Sequence, residues 1–198
     1  MKKAILAALV VLVAVGAAAA QDMSNIVRGH VVYVEPTGDA NVDGIKLEAD
    51  SATGLGVSYE RLLSGNMGLE FGIFSTDNDV EGSLRGDTRT IGEFSITPLT
   101  VGLNFHVAKS DSFDFYVGPV IAYVMYDDVD TRRGFGSNIG VDDDFGFGAV
   151  AGIELPGSGN WAFSAQLKYL ATSAEASDED FELDVNPWVI QAGAAYRF

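Results

Sequence analysis

The sequence predicts an all-β fold, an eight-stranded antiparallel up-and-down transmembrane β-barrel with four long acidic loops. Three observations carry this: a leader-like N-terminus, period-two alternation along the remaining chain, and connections that alternate between short and long.

The leader comes first. Lys2 and Lys3 form a positive start, an uninterrupted apolar run follows, and Ala18-Ala19-Ala20 supplies the small residues a signal peptidase accepts. The run is short for the ~30 Å of a hydrocarbon core, and no stop-transfer charges follow it. Residues 1–20 are therefore expected to be cleaved, leaving 21–198 as one barrel domain. Loss of Lys2 and Lys3 makes a formal charge of -16 more negative still. Such acidity opposes a nucleic-acid partner, whose phosphates would repel it. With no cysteine, the chain has no disulfide, no thiolate metal site and no lipid-anchored thiol.

Eight segments then alternate: residues 27–33, 55–59, 67–73, 99–107, 113–125, 145–155, 161–169 and 188–198. The seventh is the clearest. Trp161, Phe163, Ala165, Leu167 and Tyr169 share one face, and Ala162, Ser164, Gln166 and Lys168 the other. In the fourth, Leu99, Val101, Leu103, Phe105 and Val107 oppose Thr100, Gly102, Asn104 and His106. The second face is largely Gly, Ser, amide and charge. It cannot form the packed apolar core of a soluble barrel, but it suits a narrow polar lumen with the apolar face toward lipid. Closure pairs every backbone N–H and C=O, as a membrane requires. Aromatics such as Phe113, Trp161, Tyr169, Trp188, Tyr196 and Phe198 lie near strand ends, where interfacial girdles belong.

Short turns are expected at 63–66, 108–112 and 156–160, and long connections at 35–52, 75–92, 127–143 and 172–184. An even strand number puts both termini on one side, expected to be periplasmic, with the long loops extracellular. Those loops hold most of the acid. A divalent cation would be attracted, and Asp77-Asn78-Asp79-Val80-Glu81-Gly82 faintly resembles a calcium loop. It lacks the full spacing and the distal Glu, so a solvated acidic rim is preferred and no metal or cofactor is expected.

The alternation points Arg28, His30, Glu60, Glu70, Asn104, His106, Glu154, Lys168 and Arg197 into the lumen, with Asp114, Gln166 and Gln191. Their mixed signs favour pairing into a polar plug. Val32, Phe74, Val120, Val124, Val150 and Val189 also point inward, mostly in the middle and outer half, and are expected to line an apolar ligand path. Only His30 and His106 are available as imidazole bases, with no matching serine beside either, so an enzyme is not expected. Gly134-Phe135-Gly136 has neither the spacing nor the strand–helix context of a dinucleotide loop.

The last strand opens with Asp184-Val185-Asn186-Pro187-Trp188-Val189 and ends, after Gly193, in Tyr196-Arg197-Phe198. This resembles the OmpW family of small outer-membrane barrels and, less specifically, the OmpA-like eight-stranded class. Thr97-Pro98-Leu99-Thr100 with Phe105-His106, Phe115-Tyr116-Val117-Gly118 and Leu167-Lys168-Tyr169 are similar to further strands of the family. Two positions depart from it: Glu70 is followed by Phe71-Gly72-Ile73-Phe74, and Pro119 stands where a Gly is usual. Pro119 removes a ladder donor, so either a bulge forms or pairing opens there.

The resemblance implies an integral barrel of the bacterial outer membrane. It implies passive passage of small hydrophobic molecules through a narrow lumen, with a lateral exit into lipid for which Pro98 and Pro119 are candidates. The partners expected are outer-membrane lipid and lipopolysaccharide, a small hydrophobic solute, and the assembly machinery through Tyr196 and Phe198. The alternative is a structural or surface-interaction barrel, adhesin- or receptor-like, with a plugged lumen.

Overall fold

The computed structural model describes residues 24–42, 45–84, 87–127, 130–131, 141–176 and 182–198. The expected leader and the Gly134-Phe135-Gly136 stretch lie outside them. Eight long strands form the wall: β1 Asn25–Glu35, β2 Ala52–Ser64, β3 Met67–Leu84, β4 Asp87–Lys109, β5 Asp114–Tyr126, β6 Asp144–Pro156, β7 Trp161–Ala171 and β8 Trp188–Arg197. Each pairs antiparallel with its sequence neighbours, and β8 pairs with β1 from Ile26↔Arg197 to Glu35↔Trp188. The sheet therefore closes, and no wall strand is left with a bare edge. The start of β1 and the C-terminal Phe198 lie at the end that carries the short turns. Asn25 and Phe198 exchange backbone hydrogen bonds of 3.0 and 2.9 Å there.

Burial follows the pleat. In β7, Ala162, Ser164, Gln166, Lys168 and Leu170 are buried while Trp161, Phe163 and Leu167 are exposed. Leu55, Ile121, Phe145 and Phe147 are likewise exposed, so the outer wall is apolar and the inner face carries the ions. A water-soluble sheet would show the reverse.

The wall is taller than the alternation suggests. Residues 75–92, expected as a long loop, are mostly a continuation of the β3–β4 hairpin, paired from Thr76↔Ile96 to Leu84↔Asp87. Asp39–Val42 and Ile45–Ala49 form a hairpin within 35–52, and the second of these strands pairs with the upper part of β3. Ser173–Ala176 and Glu182–Asp184 pair within 172–184. Hydropathy hides these strands because the outer face turns polar there and the inner one is mixed, with Thr76 and Asn78 beside Val80, Phe94 and Ile96, whereas the backbone ladder does not depend on side chains. The Asp77–Gly82 stretch is extended strand. Asp77 is hydrogen-bonded to Ser95 and Asn78 is buried on the opposite face, so the stretch does not wrap as a calcium loop. Among the described residues no cluster of acids and imidazoles could hold a metal ion.

Two interruptions flank β4. On the β3 side the register runs to Ile73↔Leu99 and resumes, unshifted, at Thr76↔Ile96, leaving a gap at Pro98. A side-chain bond of 3.0 Å between Ser75 Oγ and Thr97 Oγ1 bridges it. On the β5 side the register runs to Gly102↔Val120 and resumes at Phe105↔Val117, leaving a gap opposite Pro119. The ladder opens there without a bulge. Gly118 lies in the same gap, so close to β4 that an added Cβ would sit 1.8 Å from the Leu103 carbonyl oxygen. Pro119 pairs normally with Ala149 of β6.

Candidate functional site

The interior is layered along the barrel axis. At the turn end Ile26, Ala162 and Ala195 pack together beside Leu62 and form an apolar floor. Above them lies a network of ions. Arg28 donates from Nε to Glu154 (2.8 Å), from Nη1 to Glu70 (2.9 Å) and from Nη2 to both Glu60 and Glu154 (2.5 Å each). Glu70 also accepts from Lys168 Nζ at 3.0 Å, Gln166 Nε2 at 2.9 Å and Asn104 Nδ2 at 3.4 Å. Arg197 Nη2 closes the lower side on Glu154 (2.6 Å) and Asp114 (2.9 Å). His106 places Nδ1 2.7 Å from Asp114 and Nε2 2.9 Å from Glu60. A carboxylate only accepts, so this ring donates from both nitrogens. The buried cluster then sets Glu60, Glu70, Glu154 and Asp114 against Arg28, Lys168, Arg197 and His106, with the exposed Lys109 3.7 Å from Asp114 at its edge.

Burying an ion costs several kcal/mol, and only close partners offset it. Most groups of the network have two or more such partners, which is the means of offset here. The network also fills the lumen. Tyr116 lies within it, fully buried, with the Arg28 guanidinium carbon 5.4 Å from its ring centroid and Gln166 Nε2 2.6 Å from its hydroxyl. Its ring lies over Gly152, where an added Cβ would sit 2.3 Å from Cζ. The alternation placed the ionic residues, but Tyr116 was read only as part of a motif. Its inward parity with Asp114 was the available signal.

His30 stands apart, one inward step above Arg28 on β1, buried, with Nε2 unpartnered. For acyl-transfer chemistry the ring needs a free nitrogen beside a nucleophile. His106 has both nitrogens committed to carboxylates, and no hydroxyl partners His30 Nε2.

Toward the long-loop end the lumen turns apolar. Val32, Val34, Phe74 and Val189 form one cluster. Val120 and Val124 belong to a larger one with Phe94, Ile96, Tyr126, Leu170 and Val185. Val150 is buried as well. Phe94 and Ile96 lie between the expected connection 75–92 and the expected strand 99–107, and Val185 precedes the last strand, so alternation assigns none of them a face. Val185 is held by backbone bonds to Thr37 and Thr172, next to Asn186, whose φ is 35°. Pro98 is buried beside this larger cluster, opposite Val124, whereas Pro119 is exposed on the outer wall.

Comparison with known proteins agrees with this architecture. The sequence profile of the OmpW family matches residues 21–198. Outer membrane protein W of Vibrio cholerae is 26% identical over 196 residues, covering 90% of each chain. The crystal structure of OprG from Pseudomonas aeruginosa superposes with a TM-score of 0.76 at 22% identity, covering 88% of this chain and 95% of that one. The solution structure of Escherichia coli outer membrane protein W gives 0.59 at 20% identity, covering 88% and 97%. The two structural likenesses show the fold.

Proposed function

This chain belongs to the OmpW family and is an integral β-barrel of the bacterial outer membrane, and from that premise we propose that it is a narrow channel for passive passage of small hydrophobic molecules. The turn end faces the periplasm after removal of residues 1–20, and the long-loop end faces outward. The carrying observation is a lumen lined by apolar side chains toward the loop end, which we take as the solute chamber, above an ion-filled plug; the wall pairing has one gap at Pro98, opposite Val124 of that lining, and a second at Pro119, beside Asn104 where the lining meets the plug. A hydrophobic solute enters the chamber from the loop end. It is stopped by Arg28 and its carboxylates, and leaves sideways into lipid between β3 and β4 at Pro98 or between β4 and β5 at Pro119. The lipid contacted includes lipopolysaccharide in the outer leaflet. Tyr196 and Phe198 supply the terminal signal to the assembly machinery. No catalysis is assigned: lipid A mass spectra are expected to be unchanged by His30→Ala or His106→Ala.

The test is uptake of a hydrophobic solute into liposomes containing the purified barrel, against protein-free liposomes. Equal rates would end the channel reading. The closed plug favours a second reading, a structural or surface-interaction barrel. Trimming the tip of the 127–143 connection separates the two, since adhesion would be lost and solute passage kept.

A further inference from the structure

Where the plug meets the apolar part of the lumen, its ion pairs leave several polar side chains unsatisfied. Six buried polar atoms there have no hydrogen-bond partner: His30 Nε2, Ser58 Oγ, Asn104 Oδ1, Ser164 Oγ, Gln166 Oε1 and Gln191 Oε1. The register brings them together. Gln166 is directly opposite Gln191, and His30 and Ser164 flank Gly193, whose lack of a side chain leaves the lumen between them. Ser58 is paired with Arg28, one inward step below His30. The amides of Asn104 and Gln166 are oriented by donation to Glu70, so their free atoms are acceptors. An unpaired buried polar atom costs about 1–3 kcal/mol. Four of them, on His30, Ser164, Gln166 and Gln191, stand on neighbouring positions of β1, β7 and β8 and make a site whose partner is a guest.

We propose that this collar binds the hydroxyl head of an uncharged amphiphile whose alkyl chain occupies the apolar chamber. The inference rests on the channel reading and narrows its solute class. A hydroxyl donates to an amide oxygen and accepts from a ring N–H or a serine. A carboxylate only accepts, and would meet three amide oxygens above the already balanced Glu70. A plain alkane leaves all six atoms unpaired.

The full barrel, labelled with 15N-histidine in nanodiscs, is titrated with 1-hexanol, hexane and hexanoate while the His30 Nε2 resonance is followed, identified by its loss in His30→Gln. A saturable shift with hexanol, absent with hexanoate and abolished in Gln191→Leu, is expected. Gln191→Leu should keep the parent's shift in gel mobility on heating, the sign of a folded barrel, because Gln191 lies outside the ion network. No shift, a non-saturating one, or an equal one from hexanoate would overturn the proposal and leave an internal water only. A saturable shift without any solute flux would keep the collar and remove the channel. Flux of hexane and hexanol at equal rates without a shift would do the reverse.

Discussion

Arg28 Nη2 and Glu154 Oε1 lie 2.5 Å apart with both side chains wholly excluded from solvent, 0% exposed. Since Arg28 also holds Glu60 and Glu70, its replacement leaves three carboxylates in the lumen without their shared cation. Arg28→Met should cost about 3–5 kcal/mol, the range for breaking a buried ion pair from one side. Urea unfolding in lipid vesicles measures this. Adding Glu154→Gln should recover part of the loss, because the second substitution removes one of the stranded charges.

The gap in the β4–β5 ladder has a steric requirement. A side chain at Gly118 would run into the Leu103 carbonyl, whereas one at Gly102 would meet nothing nearer than the Pro119 oxygen at 3.6 Å. Gly118→Ala should therefore destabilise the barrel by roughly 1–3 kcal/mol, as overpacking does. Gly102→Ala should fold like the parent. The gel shift between heated and unheated barrel, followed against temperature, distinguishes them.

The prolines are testable in the same ladders. Each lacks the N–H that would close its gap. Pro98→Ala and Pro119→Ala should bring new amide protection from hydrogen exchange at residues 98 and 119. If solute leaves through these gaps, each variant should slow uptake severalfold. New protection with unchanged uptake at both positions would place the exit elsewhere.

How much of this was legible depended on contrast between faces. From Trp161 to Tyr169 every outward residue is apolar and every inward one is small or polar, so this part of β7 alternates plainly. Above the lipid band that contrast fails. Asp77 and Asp79 lie in β3 as surely as Leu69 and Phe71, but water lies outside them and nothing marks the strand. The ionic plug was readable because charge on a strand facing lipid has nowhere to go but inward. The pairing within it was not: Arg197 could equally have met Glu60, Glu70 or Glu154, and only the register selects Glu154, with Asp114. Phe94 and Ile96 show the limit most directly, since an apolar residue on an unrecognised strand has no assigned face.

Tyr116 gives the last prediction. It fills the lumen beside Arg28, Gln166 and His106, its ring centroid 5.3 Å from that of His106. Unlike the ions around it, it can be removed without stranding a charge. Tyr116→Ala should leave the carboxylates paired and the barrel folded, but open a hole through the plug that water and small ions can enter. Planar-bilayer recording should show small, rare conductance in the parent and a severalfold rise in the variant. Hydrophobic uptake should change little, because its path lies above Tyr116. A variant that conducts no better than the parent would show that the ion network alone seals the lumen. A rise in both ion and solute passage would mean that solute crosses the plug itself, and the exit through the wall would have to be abandoned.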